Sequence, residues 1–183
     1  MRDPISRTVL LFAVTGFIAG ICSEWRFPVL LLLGEGLALA IALHISLWIA
    51  CREHWIAFKP TTVRLVGTYM ILTVAYPLAL SLAVEDAFRI EGLLLASGLA
   101  ALLAWAAFSI LTRHVDEVAL ALLAGSALIA VGFLKAAVHW QLAAFTLPLA
   151  IGLALFNVSF GLGLLRIETP PPRSRPAHLP GKM

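Results

Sequence analysis

Six apolar stretches follow one another along the chain with only short charged breaks between them. They run Thr8–Ser23, Pro28–Cys51, Arg64–Val84, Gly92–Thr112, Val118–Val138 and Ala143–Leu165. A membrane-spanning helix needs about 20 mostly apolar residues, whereas a spanning strand needs only about 9–11, so these lengths select helices. Of 183 residues, 61% are hydrophobic and 13% charged. Soluble domains carry about 45–50% and about 25%, so one core cannot absorb the excess. Mean hydropathy is +0.98, and the sequence pI near 9.2 does not offset it. These figures exclude an all-soluble, a disordered and a nucleic-acid-binding chain. The expected fold is all-α and polytopic, one six-helix transmembrane domain over residues 1–165.

Orientation follows from counting basic residues on alternate sides. With the N-terminus inside, the cytoplasmic segments hold Arg2, Arg7, Arg52, Lys59, Arg64, Arg113, Arg166, Arg173, Arg175 and Lys182. The outer side keeps Arg26, Arg89 and Lys135. Both termini are therefore expected in the cytoplasm. Met1–Glu24 starts like a signal peptide, but no small-x-small cleavage site follows, so it reads as a retained helix. The short loops and the lack of a soluble domain suit a bacterial inner membrane. Cys22 and Cys51 fall on opposite sides of neighbouring spans, which argues against a disulfide.

Residues 166–183 form a basic, proline-rich segment that buries too little apolar area to fold, and a disordered cytoplasmic tail is expected. Arg166, Arg173, Arg175 and Lys182 are its candidates for contact with anionic lipid headgroups. Within the membrane domain, Gly36-Leu37-Ala38, Gly98-Leu99-Ala100 and Gly152-Leu153-Ala154 recur in the second, fourth and sixth spans. Each of these spans ends at a basic residue, which suggests three stacked helical hairpins. A rival echo links Pro77–Ala83 with Pro148–Ala154, as an inverted repeat would. Gly16 and Gly20 make a small-xxx-small face, read as a packing seam within the chain. The run Arg7–Pro28, with Phe17-Ile18-Ala19-Gly20 ahead of Phe27-Pro28, resembles acid-resistance membrane proteins of the HdeD type, which are also six-helix chains. The likeness is confined to those residues and includes no catalytic or ligand motif.

Ionisable groups inside a bilayer are costly, so they are the best pointers to function. Glu35 lies about 10 Å and Lys135 about 6 Å below the outer boundary, with Tyr76 about 12 Å deep, at 1.5 Å per residue. Together they make a candidate outer polar layer in which Lys135 neutralises Glu35. His44, Tyr69 and Asn157 make a candidate inner layer. Glu35 and His44 are nine positions apart on one helix, so they face opposite ways and cannot line one narrow path. Glu24, Glu85, Asp86, Glu91 and His139 gather on the outer side without the spacing of any metal motif. No metal and no cofactor are expected, and His44 alone cannot supply a bis-histidine haem.

Neither a Ser-His-Asp pattern nor a phosphate-binding glycine loop occurs, and the first expectation is a non-enzymatic accessory or structural subunit, or an envelope-stress membrane protein. Its partners would be the bilayer and a larger membrane complex. The alternative is a transporter or channel acting as a homodimer, with Glu35 as the coupling carboxylate. A lipid-modifying enzyme using Glu35, Asp86 or His139 is the third.

Overall fold

Asp3 opens the first helix: its carboxylate Oδ1 accepts the Ile5 N–H at 3.4 Å, its carbonyl accepts Arg7 N–H at 3.2 Å, and Pro4 fills a first-turn position where a missing N–H costs nothing. That cap starts the helix four residues ahead of the apolar run. The computed structural model describes residues 3–23, 34–56, 59–85, 90–139 and 146–168, with the side chains of Glu35 and Tyr76 among those outside the description. Within them lie six α-helices and no strand: α1 (Pro4–Ser23), α2 (Gly34–Arg52), α3 (Thr62–Glu85), α4 (Ile90–Thr112), α5 (Glu117–His139) and α6 (Thr146–Glu168). Three contain a stretch long and apolar enough to cross a membrane: Ile5–Cys22, Ile90–Thr112 and Thr146–Ile167. The described apolar stretches of the others, Gly36–Arg52, Thr62–Ala75 and Glu117–Phe133, are shorter.

Two helices end on a non-glycine residue in the left-handed region. At the end of α2, His54 has φ 56°. Trp55 N–H reaches back to Ala50 O at 2.9 Å and His54 N–H to Cys51 O at 3.3 Å. This is the paired bonding of a Schellman cap, with histidine where glycine is usual. At the end of α4, Arg113 has φ 61°, its N–H bonds Ser109 O at 2.8 Å, and the Thr112 hydroxyl accepts His114 N–H at 3.2 Å. Asp116 then caps α5, its Oδ1 accepting Val118 N–H at 2.9 Å. The α4–α5 turn is thus only four residues long.

Each helix packs antiparallel against its sequence neighbours, and α1 closes the ring against α6 in the most extensive contact of all. The register on that seam is legible in the glycines. A Cβ on Gly16 would meet Leu153 O at 2.6 Å and Ala154 Cα at 2.9 Å, and one on Gly20 would meet Ala150 N at 2.7 Å. Further along, Gly161 of α6 lies against the Phe12 ring of α1. The small-xxx-small face is therefore a seam within the chain, as its sequence suggests. Successive helices do form hairpins, but the tightest contact runs between the first and the last. The echoed glycines also differ in surroundings: Gly152 is pressed against Ala130 of α5, while a Cβ on Gly98 would meet nothing within 4 Å.

One continuous apolar core joins the helices. Phe12, Leu43, Phe108, Leu123 and Phe160 are all fully buried. Phe108 and Phe160 meet edge to face, ring centroids 5.2 Å apart at 74°, a favoured aromatic geometry. Large apolar side chains also cover the outside of every helix: Leu10, Val14 and Ile18 on α1, Ile41 and Ile45 on α2, Val66, Met70 and Val74 on α3. Leu95 and Leu102 on α4, Leu128 and Phe133 on α5, and Leu147 and Leu155 on α6 continue the cover.

Candidate functional site

Hydroxyls in these helices mostly bond back to their own backbone, as apolar surroundings demand. Thr73 donates to Tyr69 O at 2.8 Å, Ser97 to Leu93 O at 2.6 Å and Ser126 to Leu123 O at 3.0 Å. Polar groups that cross between helices are the exceptions. Thr15 Oγ1 of α1 meets Ser46 Oγ of α2 at 2.6 Å, and Thr68 of α3 donates to Ala107 O of α4 at 3.2 Å. Such bonds contribute about 0.6 kcal/mol each on average and mainly set helix register.

His44 makes the most elaborate of these crossings. Its Nδ1 lies 2.6 Å from Ala40 O on its own helix and its Nε2 3.0 Å from Leu65 O on α3. The neutral ring carries one N–H and so can bond one of the two carbonyls at a time. Tyr69 covers the ring edge-on, centroids 5.6 Å apart at 75°. Two members of the expected inner layer therefore meet.

Asn157, the third member, sits instead on the α1–α6 seam, its Cβ 2.9 Å from where a Cβ on Gly16 would be. It is fully buried, and both its amide nitrogen and its amide oxygen lack a hydrogen-bond partner. A buried unpaired amide costs about 1–3 kcal/mol. Asn157→Leu keeps the Cβ contact, is close in volume and removes that cost. It is expected to raise stability toward denaturation in mild detergent by about 1–3 kcal/mol.

His44 also forms one wall of a cavity of about 570 Å³ at the α2–α3 connection. Arg52, His54, Lys59 and Cys51 contribute its other polar side chains, and Leu47, Trp48 and Leu65 its apolar wall. Arg52, on the last turn of α2, and Lys59, on the connector to α3, thus line the same cavity. Arg52 is held over the Trp48 ring, its guanidinium carbon 5.3 Å from the centroid, a cation–π arrangement. Glu53, the neighbouring carboxylate, is not part of the lining. The basic-residue count assigns Arg52 and Lys59 to the inner side, but nothing in their spacing signals that they share a cavity with His44.

The antiparallel order puts Arg7, Arg52, Lys59, Arg64, Arg113 and Arg166 at one end of the ring and Lys135 toward the other. Contacts across that end confirm the grouping. Arg7 lies over the Trp55 ring at 5.9 Å, and Arg166 Nε pairs with Asp116 Oδ2 at 3.4 Å. Trp105 Nε1 donates to Asp116 O at 3.3 Å, so Asp116 ties α4, α5 and α6 together. Arg166, expected against lipid headgroups, thus has a carboxylate partner while remaining exposed.

Of the expected outer layer, Lys135 is half-buried in α5, and the side chains of Glu35 and Tyr76 lie outside the description. The expected disordered tail begins in helix, since α6 runs on to Glu168; Arg173, Arg175, Lys182 and the rest of the tail, together with Glu24 and Asp86, lie outside the described residues. No group of three or more metal-ligating side chains occurs among the described residues. No family model matches the chain, and neither curated proteins nor solved structures give a match.

Proposed function

We propose that the chain is a six-span integral protein of a bacterial inner membrane, with both termini in the cytoplasm, serving as a non-enzymatic accessory or structural subunit. The spanning part of this reading is supported by the apolar outer face on all six helices, which water would not tolerate at that extent. The orientation is supported by the six basic residues sharing one end, the cytoplasmic end under the positive-inside rule. The observation that carries the structural role is the packing: Phe12, Phe108 and Phe160 are fully buried in one continuous apolar core.

A second reading has one observation in its favour. Asn157 keeps an unpaired amide in the α1–α6 seam at a cost to stability, and residues retained against stability cluster at functional sites. On that reading the chain is a homodimeric transporter whose seam opens to expose Asn157, with Glu35 as coupling carboxylate.

Purification from native membranes in gentle detergent separates the two. The accessory role predicts a larger partner co-eluting in fixed stoichiometry. A lone homodimer whose flux in proteoliposomes disappears in Glu35→Gln, with folding intact, would replace it by transport.

A further inference from the structure

We infer that the cavity between α2 and α3 binds a phosphate-bearing anion, in the form of an anionic lipid headgroup entering with the first part of its chain. This goes beyond the accessory role and does not depend on which partner, if any, the protein serves.

Charge is the first argument. Arg52 and Lys59 are both exposed at the cavity, His54 and His44 add further ring nitrogens, and no carboxylate lines it among the described residues. Two like charges from different segments, α2 and the connector to α3, thus line one cavity. An anion in that cavity would be attracted by both. Guanidinium and ammonium groups are the side chains that recognise phosphate oxygens, the first as a planar fork and the second as a point charge.

Shape and polarity are the second. A volume of about 570 Å³ falls inside the range of about 300–1,000 Å³ typical of small-molecule sites. Leu47, Trp48 and Leu65 line the same space as the cations. Trp48 and Ile45 of α2 are exposed on the outer face, so the apolar wall continues onto the helix surface. A free anion would use only the charged rim. An amphiphile uses both parts, and this favours the lipid as the source of the phosphate.

Cys51 supplies the readout, since it lines the cavity and Cys22, the other cysteine, sits at the far end of α1. In a Cys22→Ser protein, held in neutral detergent, the rate of maleimide labelling at Cys51 reports occupancy. Dioctanoyl phosphatidylglycerol is expected to slow labelling about tenfold at about ten times its dissociation constant, while dioctanoyl phosphatidylcholine leaves the rate unchanged. Each basic side chain near a surface is worth about fivefold in binding an anion. Arg52→Gln with Lys59→Gln should therefore raise the half-protecting concentration about thirtyfold, and Arg52→Lys with native Lys59 should largely keep it. Lys59 lies on the connector, so Lys59→Gln alone tests the site without burdening the fold.

Inorganic phosphate is the arm that distinguishes the source. If it protects Cys51 as well as the lipid does, the site is an anion site for free phosphate. If only the lipid protects, the headgroup is the ligand. Equal protection by phosphatidylcholine, or none by any probe, overturns the inference. Should Cys51 prove unreactive in the free protein, the same comparisons are read from the shift in Tm, with equal shifts for the two lipids as the overturning result.

Discussion

Gly20→Leu is expected to abolish the folded monomer, and Gly98→Ala to leave it intact or slightly more stable. The two glycines look alike in sequence, each inside an apolar helix beside small residues. Their surroundings are opposite. At Gly20 a Cβ would meet the Ala150 backbone, 2.7 Å from its nitrogen, as well as the Ala150 Cβ at 3.0 Å. Backbone cannot swing aside as a long side chain can, so α1 and α6 must separate. Overpacking within a core costs about 1–3 kcal/mol when neighbours can adjust, and a leucine pressed on helix backbone should exceed about 3 kcal/mol. The α1–α6 contact closes the ring, so its loss detaches the first helix from the last. Gly16 has the same relation to Leu153 and Ala154, and Gly16→Leu should behave alike. At Gly98 nothing lies within 4 Å of the added methyl, and alanine there removes the helix penalty of glycine, about 0.5–1 kcal/mol. Fluorescence-detected size exclusion after heating reads both. A stable, monodisperse Gly20→Leu protein would show that α1 does not dock on α6 as described.

That pair of glycines also shows where sequence reading stops. Hydropathy and charged breaks place helix ends well: α4 and α5 start and end within two residues of the expected spans, because turn residues and capping act locally. Asp3 and Asp116 extend α1 and α5 beyond their apolar runs by ordinary capping, a signal present in the sequence at both sites. What the pattern cannot supply is the partner of each face. Small residues announce a close approach without saying to which helix, and Gly98 announces one that does not occur. The inner polar layer divides for the same reason. His44 and Tyr69 lie on adjacent helices and meet, while the rotation of α6 carries Asn157 onto α1. The basic cavity was equally hidden, since Arg52 and Lys59 obey the positive-inside count whether or not they converge.

Phe108→Ala is expected to cost about 3–5 kcal/mol, the usual range for removing a buried phenylalanine, and to create no permeability. Phe108 is fully buried, edge-on to Phe160 and close enough to α6 that a Cβ on Gly163 would lie 3.0 Å from its Cε2. In a membrane the transfer part of that cost is small, because lipid is as apolar as the protein interior. The lost dispersion contacts and the cavity left behind remain, and they place the expected value at the lower end, about 3 kcal/mol. Comparing Phe108→Ala, Phe160→Ala and the double variant isolates the aromatic pair, for which about 0.5–1.5 kcal/mol of coupling is expected. The same variants bear on function. If Phe108 is structural packing, truncating it lowers the denaturation midpoint and leaves proteoliposomes as tight as before. If Phe108 instead closes a transport path, truncation raises flux at little cost in stability, since a gate must already be able to move aside. A side chain cannot be both a rigid keystone worth several kcal/mol and a freely moving gate, so stability and flux measured on one variant decide between the accessory and the transport readings.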